Sequence, residues 1–319
     1  MTNSYKPEGL LYTTTENREY ISSLAGLERA FAEGRILEAQ VNLCDNEMRL
    51  HVDLYGIPAT IDRDEAVFSP CGEATKDIAI ITRVGKPTCF KIIEFYEEDG
   101  ERKIRLSRRE AQRECFFNYV SSLECGDVIQ ARVTRLENFG AFADVGCGLI
   151  SLLSIDCISV SRISHPSDRL SVGSYIWAAV KVVDRQLGRI FLTQRELLGT
   201  WEENAGEFEV GQTVAGIIRS VESYGVFIEL APNLAGLAET RSEEEREALS
   251  GLIGRSCAVY IKSIIPERMK VKLVIVDTYD GEFRKAPPKY FIDGNIAQHI
   301  SCWRYSPIGA QKVVETVFE

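Results

Sequence analysis

The chain has 319 residues, 45% of them hydrophobic and 26% charged, with 37 Lys and Arg against 47 Asp and Glu for a formal net charge of −10. Average globular composition at this length predicts two or three domains folded throughout, and argues against a disordered, fibrous or low-complexity chain. The polar stretch from Met1 to Glu19 does not read as a secretory signal, and no apolar run is long enough to span a bilayer, so the expectation is a soluble cytoplasmic protein with no membrane partner.

Taken in chain order, residues 1–33 form an N-terminal segment with a helix from Glu16 to Phe31, placing Tyr20, Leu24, Leu27 and Ala30 on one face. Residues 34–112 follow as a β unit, from Gly34-Arg-Ile-Leu-Glu-Ala-Gln-Val through Leu50, Val52 and Leu54 to Ile104-Arg-Leu-Ser. Ser107 to Leu123, rich in Glu, Arg and Gln with few breakers, predicts a linking helix. Residues 126–197 form a second β unit, in which Val128, Val133, Phe142 and Val145 keep the period-two pattern of half-buried strands. It resumes at Gly173-Ser-Tyr-Ile-Trp and closes with Gly188-Arg-Ile-Phe-Leu-Thr. Thr193 to Asn204 predicts a further short helix, and residues 211–277 a third β unit ending near Lys270-Val-Lys-Leu. The tail, 278–319, is broken at Pro287-Pro288. Its Tyr290-Phe-Ile-Asp-Gly-Asn-Ile and Cys302-Trp-Arg-Tyr predict an added hairpin whose Trp303, Arg304 and Tyr305 cap the third unit or extend a binding surface.

The second and third units are copies of one another. Gly126 aligns with Gly211, Phe139 with Tyr224, Gly140 with Gly225, Phe142 with Phe227 and Asp144 with Glu229, all at one constant offset. Gly140 and Gly225 interrupt the alternation, which points to a bulge or sharp bend. About five short strands in about seventy residues predict a small closed barrel for each unit. The first unit is a weaker copy without the aromatic-Gly-x-Phe signature. Met48 and His51 fall where its aromatics should stand, so the scaffold is kept and the stacking platform is lost.

Phe139-Gly-Ala-Phe142, Gly148-Leu-Ile and the closing Asp184 with Arg189-Ile-Phe-Leu-Thr resemble the RNA-binding domain of bacterial ribosomal protein S-one. The resemblance runs from about Gly34 to Asp277. It implies a mainly β chain of three tandem five-stranded oligonucleotide/oligosaccharide-binding (OB-fold) barrels joined by short helices, with a short N-terminal helix and a C-terminal β extension. Ser151 stands where that family usually has a His, with His165 nearby as a substitute, and Ile265 and Lys270 stand in the third unit where the second has Asp184 and Arg189.

These residues suit single-stranded RNA. Phe139 with Phe142, and Tyr224 with Phe227, offer rings on which bases stack for on the order of 1–3 kcal/mol each, tolerating many sequences. Arg132, Arg162, Lys181 and Arg189 in the second unit, and Lys262 and Lys270 in the third, are the candidates for phosphate contacts. Asp184 either orients Arg189 or accepts from a base or 2′-hydroxyl. Blander readings stand beside these: Phe142 facing the core, Arg162 and His165 tying down a loop, Trp177 as core. Net charge opposes a phosphate partner, but Gly126 to Glu196 is locally balanced, and the surplus acid crowds Glu97 to Glu101 and Glu202 to Glu209.

Among enzyme signatures, no phosphate-binding loop, Gly-x-Ser-x-Gly or paired-His motif is present. The nine cysteines, odd in number and never spaced Cys-x-x-Cys, read as reduced core residues. The expectation is a non-enzymatic monomer without metal or cofactor. It binds single-stranded RNA or mRNA with low specificity in translation or mRNA handling, on or near the small ribosomal subunit. The alternative is a protein-interaction scaffold that docks on the ribosome or another RNA-processing complex without touching RNA, its acidity matching a basic partner.

Overall fold

Period-two alternation closes three five-stranded barrels in a computed structural model that describes residues 5–72, 74–240, 242–279 and 288–319. Pro287, half of the expected break, lies outside the described residues. Barrel one is built from β1 (Leu37–Cys44), β2 (Leu50–Leu54), β3 (Ile57–Ile61), β4 (Pro87–Glu98) and β5 (Glu101–Ser107). Barrel two has β6 (Val128–Glu137), β7 (Gly140–Gly146), β8 (Leu149–Ser154), β9 (Tyr175–Asp184) and β10 (Arg189–Thr193). Barrel three has β11 (Thr213–Glu222), β12 (Gly225–Ala231), β13 (Leu234–Ala238), β14 (Ser256–Ile265) and β15 (Lys270–Tyr279). In each, the third and fifth strands pair in parallel and the other neighbours are antiparallel, the same closure three times.

Each barrel has its own core. In barrel two, Val133, Ala143, Val180 and Leu192 point inward and are buried, while Phe142, next to Ala143, faces out and is half-buried. Of the bulge or sharp bend expected at Gly140 and Gly225, it is the bend that is found: each glycine opens its strand directly after the tight turn that follows β6 or β11. The register shifts lie on the preceding strands, between Val133 and Arg135 and between Ile218 and Ser220. The glycines instead allow close approach, since a Cβ there would lie 2.4 Å from the Leu153 carbonyl oxygen and 2.5 Å from that of Ala238.

The linkers depart from the sequence expectation wherever a side chain caps early. The predicted Glu16–Phe31 helix is two, α1 (Thr15–Ile21) and α2 (Leu24–Glu33), because the Ser23 hydroxyl accepts from Gly26 N–H and starts a new helix. Two short helices follow within and after barrel one, α3 (Asp77–Ile81) and α4 (Arg108–Asn118), the latter capped by Ser107. The predicted Thr193–Asn204 helix is replaced by the end of β10, a 3-10 turn over Arg195–Leu198 and α5 (Trp201–Ala205), with Gly199 at φ 85° between them and Thr200 and Glu203 forming a capping box. The insertion between β13 and β14 carries α6 (Glu243–Ser250).

The tail clamps barrels two and three together. Tyr290 to Ile296 forms no strand; it packs on barrel two, where Tyr290 Oη accepts from Trp177 N–H at 3.1 Å and from Gln194 Nε2 at 2.6 Å. The only tail strands among the described residues are β16 (Cys302–Arg304) and β17 (Glu315–Val317), and they bring Trp303 and Tyr305 into the core of barrel three beside Trp201. Trp303 and Tyr305 therefore cap the third barrel.

Acid at one matched position joins successive modules. Asp144 of β7, buried, accepts from the backbone N–H of Glu8 at 2.7 Å, and Glu8 is itself buried between Arg108 Nε at 2.7 Å and Arg83 Nη1 at 2.7 Å. Burial pushes the Asp144 carboxyl up to about 7, reinforced by the neighbouring Glu8 charge, whereas the two guanidiniums outweigh burial and hold Glu8 down at about 2. At the matching place on β12, Glu229 is buried against Arg169 of barrel two and accepts from Arg219 Nε at 2.7 Å.

Candidate nucleic-acid interface

Because the three barrels share one pairing register, a row of outward-facing residues can be followed across each sheet. In barrel two it runs Arg135, Phe142, Leu152, Phe191, Val182 on β6, β7, β8, β10 and β9. In barrel three it runs Ser220, Phe227, Leu237, Lys272, Ser263 on β11, β12, β13, β15 and β14. In barrel one it runs Leu43, His51, Thr60, Arg105, Glu94 on β1, β2, β3, β5 and β4. Position by position, barrel two offers an apolar and aromatic strip ending in a guanidinium. Barrel three keeps one aromatic and gains an ammonium. Barrel one has no ring except an imidazole.

The aromatic pairs have the same geometry twice. Phe139, in the turn before β7, is 53% exposed and meets Phe142 edge-to-face with centroids 5.9 Å apart and planes at 89°. Tyr224, 61% exposed, meets Phe227 at 6.1 Å and 90°. Each pair leaves one ring standing free of the barrel with its face open, held from below by a ring bedded on the sheet, which is what stacking on an unpaired base requires.

In barrel one the corresponding positions are closed by charge pairing. The Asp45 carboxylate takes Arg49 Nε at 2.8 Å and His51 Nε2 at 2.9 Å, and Arg105 is held 2.5 Å from Glu94. Met48, at the place of Phe139, adopts a left-handed φ of 62° in the turn.

The remaining sequence-proposed residues separate clearly. Arg189 and Lys181 are exposed on either side of the Phe191–Val182 pair of the barrel-two strip, Arg189 opening β10 beside Asp184 and Lys181 in the β9 bulge with its Nζ 3.1 Å from Cys157 Sγ. Lys262 occupies the equivalent bulge of β14, and Lys270 opens β15 as Arg189 opens β10; both are exposed. Asp184 Oδ1 accepts from the N–H groups of Gln186 and Leu187 at 3.0 and 2.9 Å, so it shapes the β9–β10 hairpin.

Three residues do other work. Ser151 lies on the inward row, buried, with its hydroxyl donating to the Ile190 carbonyl, so it does not stand in for the family's His at the surface. Arg132 Nη1 donates to the Glu8 carbonyl at 3.0 Å and its guanidinium lies 5.8 Å from the Tyr175 ring centre, which fixes it to the N-terminal segment rather than to a ligand. His165 Nδ1 caps the Pro166–Asp168 turn, accepting from Ser167 N–H at 3.1 Å, and so ties down its loop. Arg162 is exposed on that same loop.

Sequence reasoning missed Arg135, Ile150 and Lys272. Lys272 follows Lys270 by two residues on one strand and was findable from period two alone. Arg135 comes beside Phe142 only because of the β6 bulge, which no sequence signal marked. Ile150, 52% exposed, faces outward two residues before Leu152, and within Gly148-Leu-Ile nothing in the sequence marks which apolar residue is the outer one.

Residues 122–195, barrel two and its flanks, match the family described as the S1 RNA binding domain. Over 286 residues the chain is 29% identical to small ribosomal subunit protein bS1 of Leuconostoc lactis, covering 83% of this chain and 62% of that one. It is 28% identical to the protein of the same name from Rhizobium meliloti, covering 58% and 32%. A third relative, named 4-hydroxy-3-methylbut-2-enyl diphosphate reductase in Clostridium tetani, is 29% identical over 83% of this chain and 44% of its own. The chain thus spans between about a third and about three fifths of the length of these curated relatives.

Proposed function

We propose, from the S1 RNA binding domain in the middle barrel, that this chain binds single-stranded RNA with low sequence specificity, barrel two as the principal site and barrel three as a weaker one. The observation that carries this reading is the exposed, edge-to-face Phe139–Phe142 pair, set on an outer strip that ends in Arg135 and is flanked by Arg189 and Lys181. Bases stack on Phe139 and lie along Phe142, Leu152 and Phe191, while the cations follow the phosphates. The strip presents ring faces and alkyl groups rather than convergent hydrogen-bond donors, so base identity is read weakly.

Likeness to small ribosomal subunit protein bS1 over most of the chain supports a role in translation or mRNA handling in the cytoplasm, with the small ribosomal subunit as a partner. No chemical step is assigned. Filter binding of the full chain to single-stranded RNA at two salt concentrations tests the reading: a steep fall with salt is required, and affinity for ribosomal protein surfaces without RNA affinity sinks it.

A further inference from the structure

Barrel one lacks a stacking platform, yet its longest insertion lies against the binding face of barrel two. The segment from Val67 to Lys86, between β3 and β4, reaches across to the β9–β10 hairpin, where Cys71 Sγ donates to the Leu187 carbonyl at 3.2 Å and Pro70 packs on Gly188. Between this insertion and barrel two runs an open groove of roughly 650 Å³. One wall carries Lys76, Ile78 and Lys86. The other carries Arg135, Phe142, Ile150 and Arg189, so the groove is continuous with the aromatic strip.

The electrostatics of the groove are one-sided. Six of its lining side chains are basic, and none is a carboxylate among the described residues. Two of the six, Arg83 and Arg108, share the single buried carboxylate of Glu8, and Arg135 pairs with Glu137. Lys76 and Lys86 are exposed. Partial burial, and then the nearby Arg83 and Arg132 charges, hold the Lys86 ammonium below the ordinary lysine range against the opposing pull of Glu8. An apolar wall, a line of cations and an open end beside a stacking platform fit one kind of occupant, a polyanion with planar bases.

Resting on the RNA-binding reading, we propose that the groove is the continuation of the barrel-two site: single-stranded RNA leaving Phe142 passes between the two modules, its bases against Ile150 and its phosphates at Lys76 and Lys86. Barrel one is then a wall of the site rather than a spacer. It binds no RNA by itself because the stacking surface belongs to barrel two, and barrel two alone holds a shorter stretch of strand than the pair.

The test uses the full chain and a fluorescent oligouridine of about twenty nucleotides. Lys76→Ala with Lys86→Ala should weaken binding about tenfold at low salt and flatten the dependence of log affinity on log salt by about 1.4, two phosphate contacts on a single strand. Lys103→Ala, on β5 outside the groove, should change neither. RNA containing 4-thiouridine should crosslink to the 67–86 segment as well as to barrel two, a readout that misfolding cannot imitate. If the lysine pair binds with the parental affinity and slope, and crosslinks map to barrel two alone, the groove is not part of the site although the RNA reading stands. If the unaltered chain does not bind the oligonucleotide, both fall together.

Discussion

Replacing Phe139 and Phe142 by Ala removes the platform with little cost to the fold. Phe139 is more than half exposed and makes its ring contact with Phe142, and Phe142 lies on the outer face, so neither truncation opens a cavity among Val133, Ala143 and Leu192. Two stacked bases at on the order of 1–3 kcal/mol each set the loss. The edge-to-face contact between the rings, about 0.5–1.5 kcal/mol, is also lost, so the single substitutions will overlap rather than add. A net loss of about 2–4 kcal/mol corresponds to roughly 30- to 700-fold in affinity. Fluorescence anisotropy of labelled oligouridine measures it, with circular dichroism and the urea midpoint reporting the fold. A double variant that stays folded and binds within twofold of the parent refutes the stacking assignment and with it the role given to the Tyr224–Phe227 pair.

Tyr224→Ala with Phe227→Ala should cost about tenfold on RNA long enough to reach both barrels and almost nothing on RNA confined to one, because barrel three meets an already tethered strand at high effective concentration; equal losses on long and short RNA would show that the barrels act separately. Glu229→Ala leaves Arg169 and Arg219 buried without their shared carboxylate and should destabilise by about 3–5 kcal/mol, read as a shift of the urea midpoint, while Glu202→Ala, at an exposed position of α5, should be near neutral. Stability should fall as pH rises from about 5 to about 8.5. Burial raises the carboxyls of Asp144 to about 7 and Glu38 to about 8, so the folded chain keeps protons that the unfolded chain releases from about pH 4 upward. Glu8, lowered to about 2, adds stability that builds as pH rises from about 2 and is complete by about pH 5, where this window opens, so it does not offset the slope. Glu38→Gln and Asp144→Asn should each flatten the thermal midpoint against pH, and an unchanged slope in both would remove these groups as its source.

Local physics made much of this protein legible from its sequence. Period-two alternation through Val133 and Val145 marks strands wherever one face is dry. The Phe139/Tyr224 and Phe142/Phe227 correspondence fixes a repeat whose registers agree strand by strand, and even the place of His51 at the position of Phe142 follows from it. The residues proposed to face a base are those whose surroundings lie on the same two or three strands, so neighbours in sequence were enough. Helix ends were harder, because one hydroxyl at Ser23 and one glycine at Gly199 decide them.

Whatever depends on a partner distant in the chain was decided only by the tertiary structure. Ser151 and Ile150 are adjacent, and pleating alone permits either to face out. The Ile190 carbonyl on a strand thirty-nine residues away, awaiting a donor, turns Ser151 inward. Arg132 looked like a phosphate ligand until Glu8, one hundred and twenty-four residues earlier, supplied its acceptor. Asp144 and Glu229 matched as acids in the repeat, but their joining of modules rests on Glu8, Arg169 and Arg219, which no spacing connects to them. The wall that Lys76 and Lys86 add to barrel two is of the same kind: a sequence pattern reports which face of a strand is wet, and only the packing of one barrel on the next determines what stands across the water from it.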